Sequence, residues 1–594
     1  MNAGSTRKGV ESNAMDAWPQ YRKALDLERD LGDPTDPDSA ISFAATVEDD
    51  EREAFPDRGV RALASWGLQR HLVPAAVGGA LEQFDELSML MRLVARRDLT
   101  VAVAIGQTFL GTVSVWVAGN DAQKRRAADV LLNGGVAALA LTEQEHGSDL
   151  AASEVSATPC DGGFLLDGTK WLINNATRSR LLGVLARTHP GGGLRGFSLL
   201  LVDKEQLARD SYECLPKIRT HGIRGADISG IRFSGARIGD ESVIKRQGRG
   251  LDVVLRSLNI SRALVSTFSL GALDTGLRTT LDFACKRRLY GSSMLELPTV
   301  RHALVGALID LITCESISIA AARSLHSTPE QASVNSAVAK YFVPSMTEEA
   351  LRSLSVVLGA RYYLRDEHVH GIFQKVLRDN AVLGLFDGST AVNLSLLASQ
   401  LPSLCRSSGE AGTRSETLAR NRQMFCLTET LPTFEPERLA LDRGGQSDVL
   451  DPLRAGTVER LREIEGSSAD GILAVLSETL AWLDEFRERV LHHADELGSD
   501  FPRSQRAFDL AREYCALHAS ASCMWIWLHN RENFSGIVRR GDVTLLAMQR
   551  LLQRHGRTAA VHTRDAHIHD WLHDMHRTAH LFSCLRIPLG TTRR

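Results

Sequence analysis

Apolar positions along the chain change their period twice, and the changes divide it. Over residues 41–138 the spacing is helical. Val60, Leu63, Ala64 and Leu68 make one stripe, and Leu87, Met89, Leu90, Met91, Leu93 and Val94 make a fuller one. Val73-Pro74 and Gly78-Gly79 break the pattern between them. From 139 to about 245 the apolar runs are short and β-type, at 164–166, 182–185, 197–202 and 231–233. Turn signals separate them, at Asp161-Gly162-Gly163 and Gly191-Gly192-Gly193, so a small all-β domain is expected. Helix returns after Gly248-Arg249-Gly250. The spacing predicts helices over 251–285, 302–325, 333–358 with a kink at Pro344, and 380–400, a set that suggests an antiparallel four-helix bundle. Further helical patterns occupy about 449–497, 503–530 and 541–555. The expected organisation is α+β and mainly α. It runs as a polar, disordered stretch 1–38, a helical domain 39–138, the β domain 139–245, the bundle 246–405, a Ser/Gly/Glu/Arg-rich linker 406–430 and a C-terminal helical domain 431–594.

Composition narrows the function classes. A chain of 594 residues with 43% apolar and 24% charged residues is an ordinary globular protein with a large core. A net charge of -3 gives no argument for nucleic acid or an anionic membrane. The nine cysteines are scattered with no Cys-x-x-Cys pair, which reads as reduced thiols in a cytoplasmic protein. No apolar run is expected to cross a bilayer, and the N-terminus has no hydrophobic signal core.

Several stretches carry candidate chemistry. Thr142-Glu143-Gln144-Glu145-His146-Gly147-Ser148-Asp149 ends an apolar run with hydroxyls and glycine, suited to turning donors toward a polar ring. Thr169-Lys170-Trp171-Leu172-Ile173-Asn174 follows the Asp167-Gly168 hairpin signal and sets an indole on a strand. Together they describe one wall of a flat aromatic cofactor site; the alternative is a surface turn beside a core tryptophan. In Leu385-Phe386-Asp387-Gly388-Ser389-Thr390 an acid stands among apolar neighbours. Such surroundings raise a carboxyl pKa and suit it to proton abstraction, unless Asp387 or Ser389 is simply a helix N-cap. Lys286-Arg287-Arg288 ends the long helix, either as favourable charge at a helix C-terminus or as an arginine gripping a pyrophosphate. Arg262, inside the same helix, is a solvent-face charge or a substrate or intersubunit contact. His562, His567, His569, His573, His576 and His580 include i,i+4 pairs but no fixed third ligand, so no metal site is expected. No Gly-x-Gly-x-x-Gly follows a strand and no Walker loop occurs, which argues against a doubly wound nucleotide fold.

Taken in order, these motifs resemble the acyl-CoA dehydrogenase family over about residues 41–402. Leu141-Thr142-Glu143 with Gly147-Ser148-Asp149 resembles its flavin-binding segment, and Lys170 through Asn174 the segment over the flavin face. Gly222 through Asp227 with Ile231-Arg232-Phe233 resembles the end of its β domain, and Arg287 through Gly291 its arginine-aromatic-glycine motif. Arg378-Asp379 and Phe386 through Thr390 resemble the segment carrying its base. The resemblance implies a helical domain, a β-barrel-like domain and a four-helix bundle, with FAD as cofactor. It implies α,β-dehydrogenation of an acyl thioester: Asp387 takes the α-proton and the β-hydrogen moves as hydride to the flavin. Leu141, Thr142, Gly147, Ser148, Trp171, Leu172, Ile173 and Ser389 would hold the flavin. Arg287 would reach the FAD of a partner subunit, and Ser148, Arg262 and Gly388 would line the substrate. A homodimer and electron-transfer flavoprotein or another acceptor are implied, as is a very-long-chain-like role for the C-terminal helices. Coenzyme A is the default carrier. An acyl carrier protein docking on Lys124-Arg125-Arg126 or Lys286-Arg287-Arg288 is the other option.

The chain also departs from the family pattern. Asp387 replaces the usual glutamate, Ser261 stands where some members carry their base, and Ile173 stands where many have threonine. The adenine-side Gln-Gly-Gly appears as Val356, Gly359 and Ala360, and Pro298 replaces another glutamine. The rival functions are a flavin oxidase or monooxygenase on the same fold, and a non-catalytic scaffold.

Overall fold

The computed structural model describes residues 18–406, 414–442, 445–464, 467–558 and 565–590. Helices α1 (Arg22–Leu31), α2 (Phe43–Glu51), α3 (Asp57–Trp66), α4 (Phe84–Arg97), α5 (Leu99–Ala118) and α6 (Asp121–Leu132) come first. Helix α1 corrects the expected disorder: its Ala24, Leu27 and Leu31 are buried, and buried Glu28 pairs with Arg96 and Arg97 of α4. Residues 1–17 lie outside the described set.

Seven strands follow: β1 (Ala137–Ala140), β2 (Ser156–Cys160), β3 (Gly163–Asn174), β4 (Leu181–Arg187), β5 (Phe197–Asp203), β6 (Tyr212–Cys214) and β7 (Ile228–Gly239). They form one sheet in the order β1-β4-β2-β3-β7-β6, with β5 also on β4. Long antiparallel β3 and β7 run in register from Gly163 opposite Gly239 to Asn174 opposite Ile228, interrupted by irregularities at 166–168 and 171–173. Phe164, Leu166, Ile173, Val184, Val202, Ile231 and Phe233 fill the sheet's own core.

The bundle consists of α7 (Gly250–Lys286), α8 (Pro298–Ser327), α9 (Ala332–Leu358) and, after short α10 (Ile372–Asn380), α11 (Thr390–Arg406). Helix α9 runs through Pro344 without ending. The linker expectation is corrected where it is described, because α12 (Arg414–Phe425) continues the helical structure; residues 407–413 lie outside the described set. The C-terminal helices are α13 (Leu453–Arg462), α14 (Ser467–Leu497), α15 (Gln505–Asn530), α16 (Gly536–Arg540), α17 (Asp542–Arg554) and α18 (Asp565–Arg577).

Residues beyond α18 return to the core. The Phe582 N–H donates to Asp274 Oδ2 at 2.9 Å, Ser583 Oγ donates to Glu315 at 2.6 Å, and the Arg278 guanidinium donates to the His580 carbonyl at 2.8 Å. Two helices, α5 and α8, are in fact long and apolar enough to cross a bilayer, contrary to the expectation above. Their apolar windows are 89% buried against other parts of the protein, which accounts for the hydrophobicity without a membrane.

Candidate active site

The two stretches read as one wall are joined directly. The Trp171 N–H donates to the Thr142 carbonyl at 2.8 Å, and Lys170 Nζ donates to the Leu141 carbonyl at 2.8 Å. Glu143 closes the turn between them. It pairs with Lys170 Nζ at 2.7 Å and accepts the N–H groups of Glu154 at 2.7 Å and Val155 at 3.1 Å. Burial opposes charge on Glu143, but those N–H groups and the ammonium outweigh it and hold its pKa below the usual range. Burial pulls Lys170 down to about 8 against the opposing pull of Glu143.

The turn so anchored leaves its functional groups outward. Thr142 is half-buried, Gly147 and Ser148 are exposed, and a Cβ at Gly147 would meet nothing within 4 Å. Trp171 is half-buried, so it is not the core tryptophan of the alternative reading. Leu172 sits at a β3 irregularity with φ 56° and is 39% exposed. Ile173 instead puts its side chain into the sheet core at 2% exposure, so at this position only the main chain is left to face a ligand.

The carboxylate of the bundle sits on a turn of unusual backbone. Asp387 has φ 56° and Gly388 has φ 94°, both left-handed. Aspartate tolerates that region better than most residues. Asp387 is not the helix cap: Ser389 Oγ accepts the Val392 N–H at 3.4 Å and caps α11, while Asn393 Nδ2 donates to the carbonyls of Gly388 and Ser389, each at 2.9 Å. The carboxylate is thus left for something else. Its Oδ2 is enclosed and has no hydrogen-bond partner. Burial raises the Asp387 pKa to about 6, against the lowering pull of Lys340, Arg262 and the Ser261 hydroxyl.

Arg262 is buried, not on a solvent face. Its Nε donates to the Asp387 main-chain carbonyl at 2.9 Å, and burial lowers its pKa to about 10. A Cβ at Gly388 would come within 2.9 Å of the Arg262 guanidinium, so the glycine serves both its φ and this approach.

One participant went unnoticed in the sequence. Lys340 on α9 is fully buried, donates to the Leu383 carbonyl and stands 5.2 Å from the Phe386 ring centroid. Burial lowers its pKa to about 7. Its signal was available: a single lysine in the otherwise apolar run 337–343.

The turn is fixed to the β domain by α10. Lys375 Nζ reaches Asp98 at 2.9 Å, Thr100 at 3.1 Å and Asp379 at 2.5 Å, while the Ile223 N–H donates to Asp379 at 2.6 Å. A Cβ at Gly222 would lie 2.4 Å from the Arg378 carbonyl, so these segments dock backbone to backbone.

Other candidates lie apart. Arg287 is exposed at the end of α7, 25 residues beyond Arg262, a separation of about 37 Å along a helix. It leads into a hairpin whose Tyr290 is 94% exposed. The stretch ending α9 leaves Val356 80% exposed, with Gly359 at φ 58°. Among the described residues, the C-terminal histidines do not gather into a metal-like group. His492, His493 and Glu496 do, but the Arg506 guanidinium already bonds to His493 and Glu496. His562 lies outside the described set.

A cavity of about 470 Å³ lies between the N-terminal helices, α7 and the segment 430–436. Ile260, next to Ser261 on α7, lines it together with Phe84, Phe109, Trp116 and, from beyond the bundle, Leu431 and Phe434.

Three family models match in order: the acyl-CoA dehydrogenase N-terminal domain at residues 39–135, middle domain at 138–236 and C-terminal domain at 248–401. A probable acyl-CoA dehydrogenase, FadE25, of Mycobacterium tuberculosis is 25% identical over 348 residues, 58% of this chain and 87% of the relative. The very long-chain specific acyl-CoA dehydrogenase of human mitochondria is 23% identical over 343 residues, 56% of this chain and 51% of the relative. The structure of a Bacillus anthracis acyl-CoA dehydrogenase complexed with FAD superposes with a TM-score of 0.66 at 16% identity. It covers 94% of this chain and 90% of that one, so the likeness of fold extends into the C-terminal helices. With its carboxylate turn, its Thr142–Trp171 wall and all three domain models in sequence, the chain belongs to the acyl-CoA dehydrogenase family.

Proposed function

We propose that the protein is an FAD-dependent dehydrogenase that desaturates an acyl thioester between its α and β carbons, with Asp387 as the base. The observation that carries this reading is the enclosed, unbonded Oδ2 of Asp387, on a carboxyl whose pKa of about 6 leaves it ionised at neutral pH yet basic enough to take a proton. Family membership supplies the reaction class.

The residues present fit the ring end of FAD. Thr142 and Ser148 offer hydroxyls and Gly147 leaves open space at the edge, while Leu141, Trp171 and the main chain of Leu172 and Ile173 supply the face. When bound, the flavin accepts the β-hydrogen as hydride. Asp387 removes the α-proton and carries it on the carboxyl. Arg262 holds the Asp387 carbonyl and so fixes the direction of the turn. A main-chain N–H of the Asp387 turn would polarise the thioester carbonyl, a contribution that matters most where water is excluded. Ser148, Arg262 and Gly388 would border the acyl end.

Arg287 is too far along α7 to serve its own chain's ring, so it serves the FAD of a second copy in a homodimer. Electron-transfer flavoprotein or another acceptor reoxidises the flavin, the carrier is coenzyme A, and the compartment is the cytoplasm. The decisive experiment is Asp387→Asn. Asparagine keeps the shape and tolerates φ 56°, so flavin stays bound while anaerobic bleaching by acyl-CoA slows by at least a hundredfold, at the lower end of what general-base catalysis contributes. Bleaching at the original rate would falsify the assignment.

A further inference from the structure

Lys340 stands in α9 between Ala339 and Tyr341, with no exposed surface. Its amine enters the turn that carries Asp387: it donates to the Leu383 carbonyl and lies 5.2 Å from the Phe386 ring. The charged or titratable groups acting on it are Asp387 from the turn and Arg262 from α7. Arg262 spends its Nε on the Asp387 main-chain carbonyl, not on the carboxylate. Ser261, also on α7, is the remaining polar group facing the Asp387 side chain, and it is neutral. Lys340 is therefore the stronger of the two cations acting on that carboxylate, and it belongs to an element that carries none of the other site residues.

We propose that Lys340 is the positioning residue that keeps Asp387 ionised: from α9 its buried amine bonds the Leu383 carbonyl beside the Phe386 ring, which brings a cation onto the turn that carries the carboxylate. The values support this. Burial alone drives Asp387 upward, Lys340 exerts the largest opposing pull, and the balance rests at about 6. Without that pull the carboxyl would hold its proton to higher pH and would accept a proton less readily near neutrality. The inference rests on Asp387 being the base and adds what sets its working range.

Lys340→Gln keeps a donor for Leu383 and removes the charge; Lys340→Arg keeps the charge. In anaerobic flavin bleaching with acyl-CoA, the acid limb of the pH profile moves up by about one unit in Lys340→Gln, with roughly a threefold loss at pH 6.5 that alkali restores. Lys340→Arg leaves the limb in place. A uniform loss at every pH in Lys340→Gln, with the limb unmoved, overturns the proposal, because that is what a merely structural lysine gives. A thermal-unfolding cycle of Lys340→Gln, Asp387→Asn and the double variant needs no substrate. Coupling at pH 7 that disappears below pH 5 supports the proposal, and pH-independent or absent coupling overturns it. If wild-type protein binds FAD but no acyl thioester bleaches it, the dehydrogenase reading falls and the cycle alone decides the role of Lys340.

Discussion

Two lysines buried to the same depth, Lys375 on α10 and Lys340 on α9, have been driven in opposite directions. Lys375 lies between Asp98 and Asp379, with Thr100 as a further partner. Burial works against its charge, but Asp379, Asp98 and nearby Asp50 outweigh it and raise its pKa above the ordinary lysine value. Lys340 bonds to a neutral carbonyl and, among the described residues, is drawn by the charge of Asp387 and repelled by Arg262, so burial wins and its pKa falls to about 7. The first cluster is a joint: it ties the N-terminal helices, the β domain at Ile223 and the bundle together. The second is left short of partners, and its carboxylate keeps an open oxygen. Full compensation goes with architecture here, and incomplete compensation with the site proposed to do the chemistry.

The largest test of that contrast is Lys375→Met. It strands two buried carboxylates and should cost about 3–5 kcal/mol, seen as a steep fall in unfolding temperature. Lys340→Met, which breaks a hydrogen bond to a neutral carbonyl, should cost far less. Equal losses would erase the distinction. The pH dependence should differ in sign as well. Lys375 binds its proton more tightly when folded, so its contribution is complete below an ordinary lysine pKa and is lost as pH rises through the raised value. Lys340 binds its proton less tightly when folded, so stability rises with pH between about 7 and 10.5. Unfolding temperatures of each Met variant against wild type across pH 6–10 separate the two.

A third buried lysine sharpens the comparison. Lys170 has one carboxylate and lies between the extremes at about 8. Lys170→Met should unmake the Glu143 anchor and loosen the turn 143–154 while leaving the sheet folded. The expected result is roughly tenfold weaker FAD retention, read by flavin fluorescence, with a loss of about 1–3 kcal/mol. Gly388→Ala is the smallest change. It forces φ 94° on alanine and presses on Arg262, costing on the order of 1–2 kcal/mol locally. The turnover rate should fall about tenfold with little change in unfolding temperature, because the strain lands on the Asp387 turn alone.

Much of this was legible in the chain. The change of period at about 139 and again near 248 marked the β domain and bundle, because strand and helix side chains repeat at different intervals. The hydroxyl-glycine turn and the Trp171 strand were recognised as one wall, and a hydrogen bond joins them. Asp387 was legible as an acid among apolar neighbours. Helix α1 was not, because its apolar residues are interleaved with charges that look solvated until Glu28 meets Arg96 and Arg97 from α4. The apolar lengths of α5 and α8 were underrated for a related reason: only packing shows what covers them.

By itself the sequence determined the kinds of element, their order, the motifs that place the chain in its family and the acid proposed as the base. These are local properties, fixed by neighbours a few positions away. The tertiary structure alone decided which charges are answered. Lys375 and Asp98 stand 277 residues apart, and Lys340 reaches a turn more than forty residues beyond it. A charge state depends on distance and burial, which periodicity does not carry, so one buried lysine stands among carboxylates and the other against a neutral carbonyl.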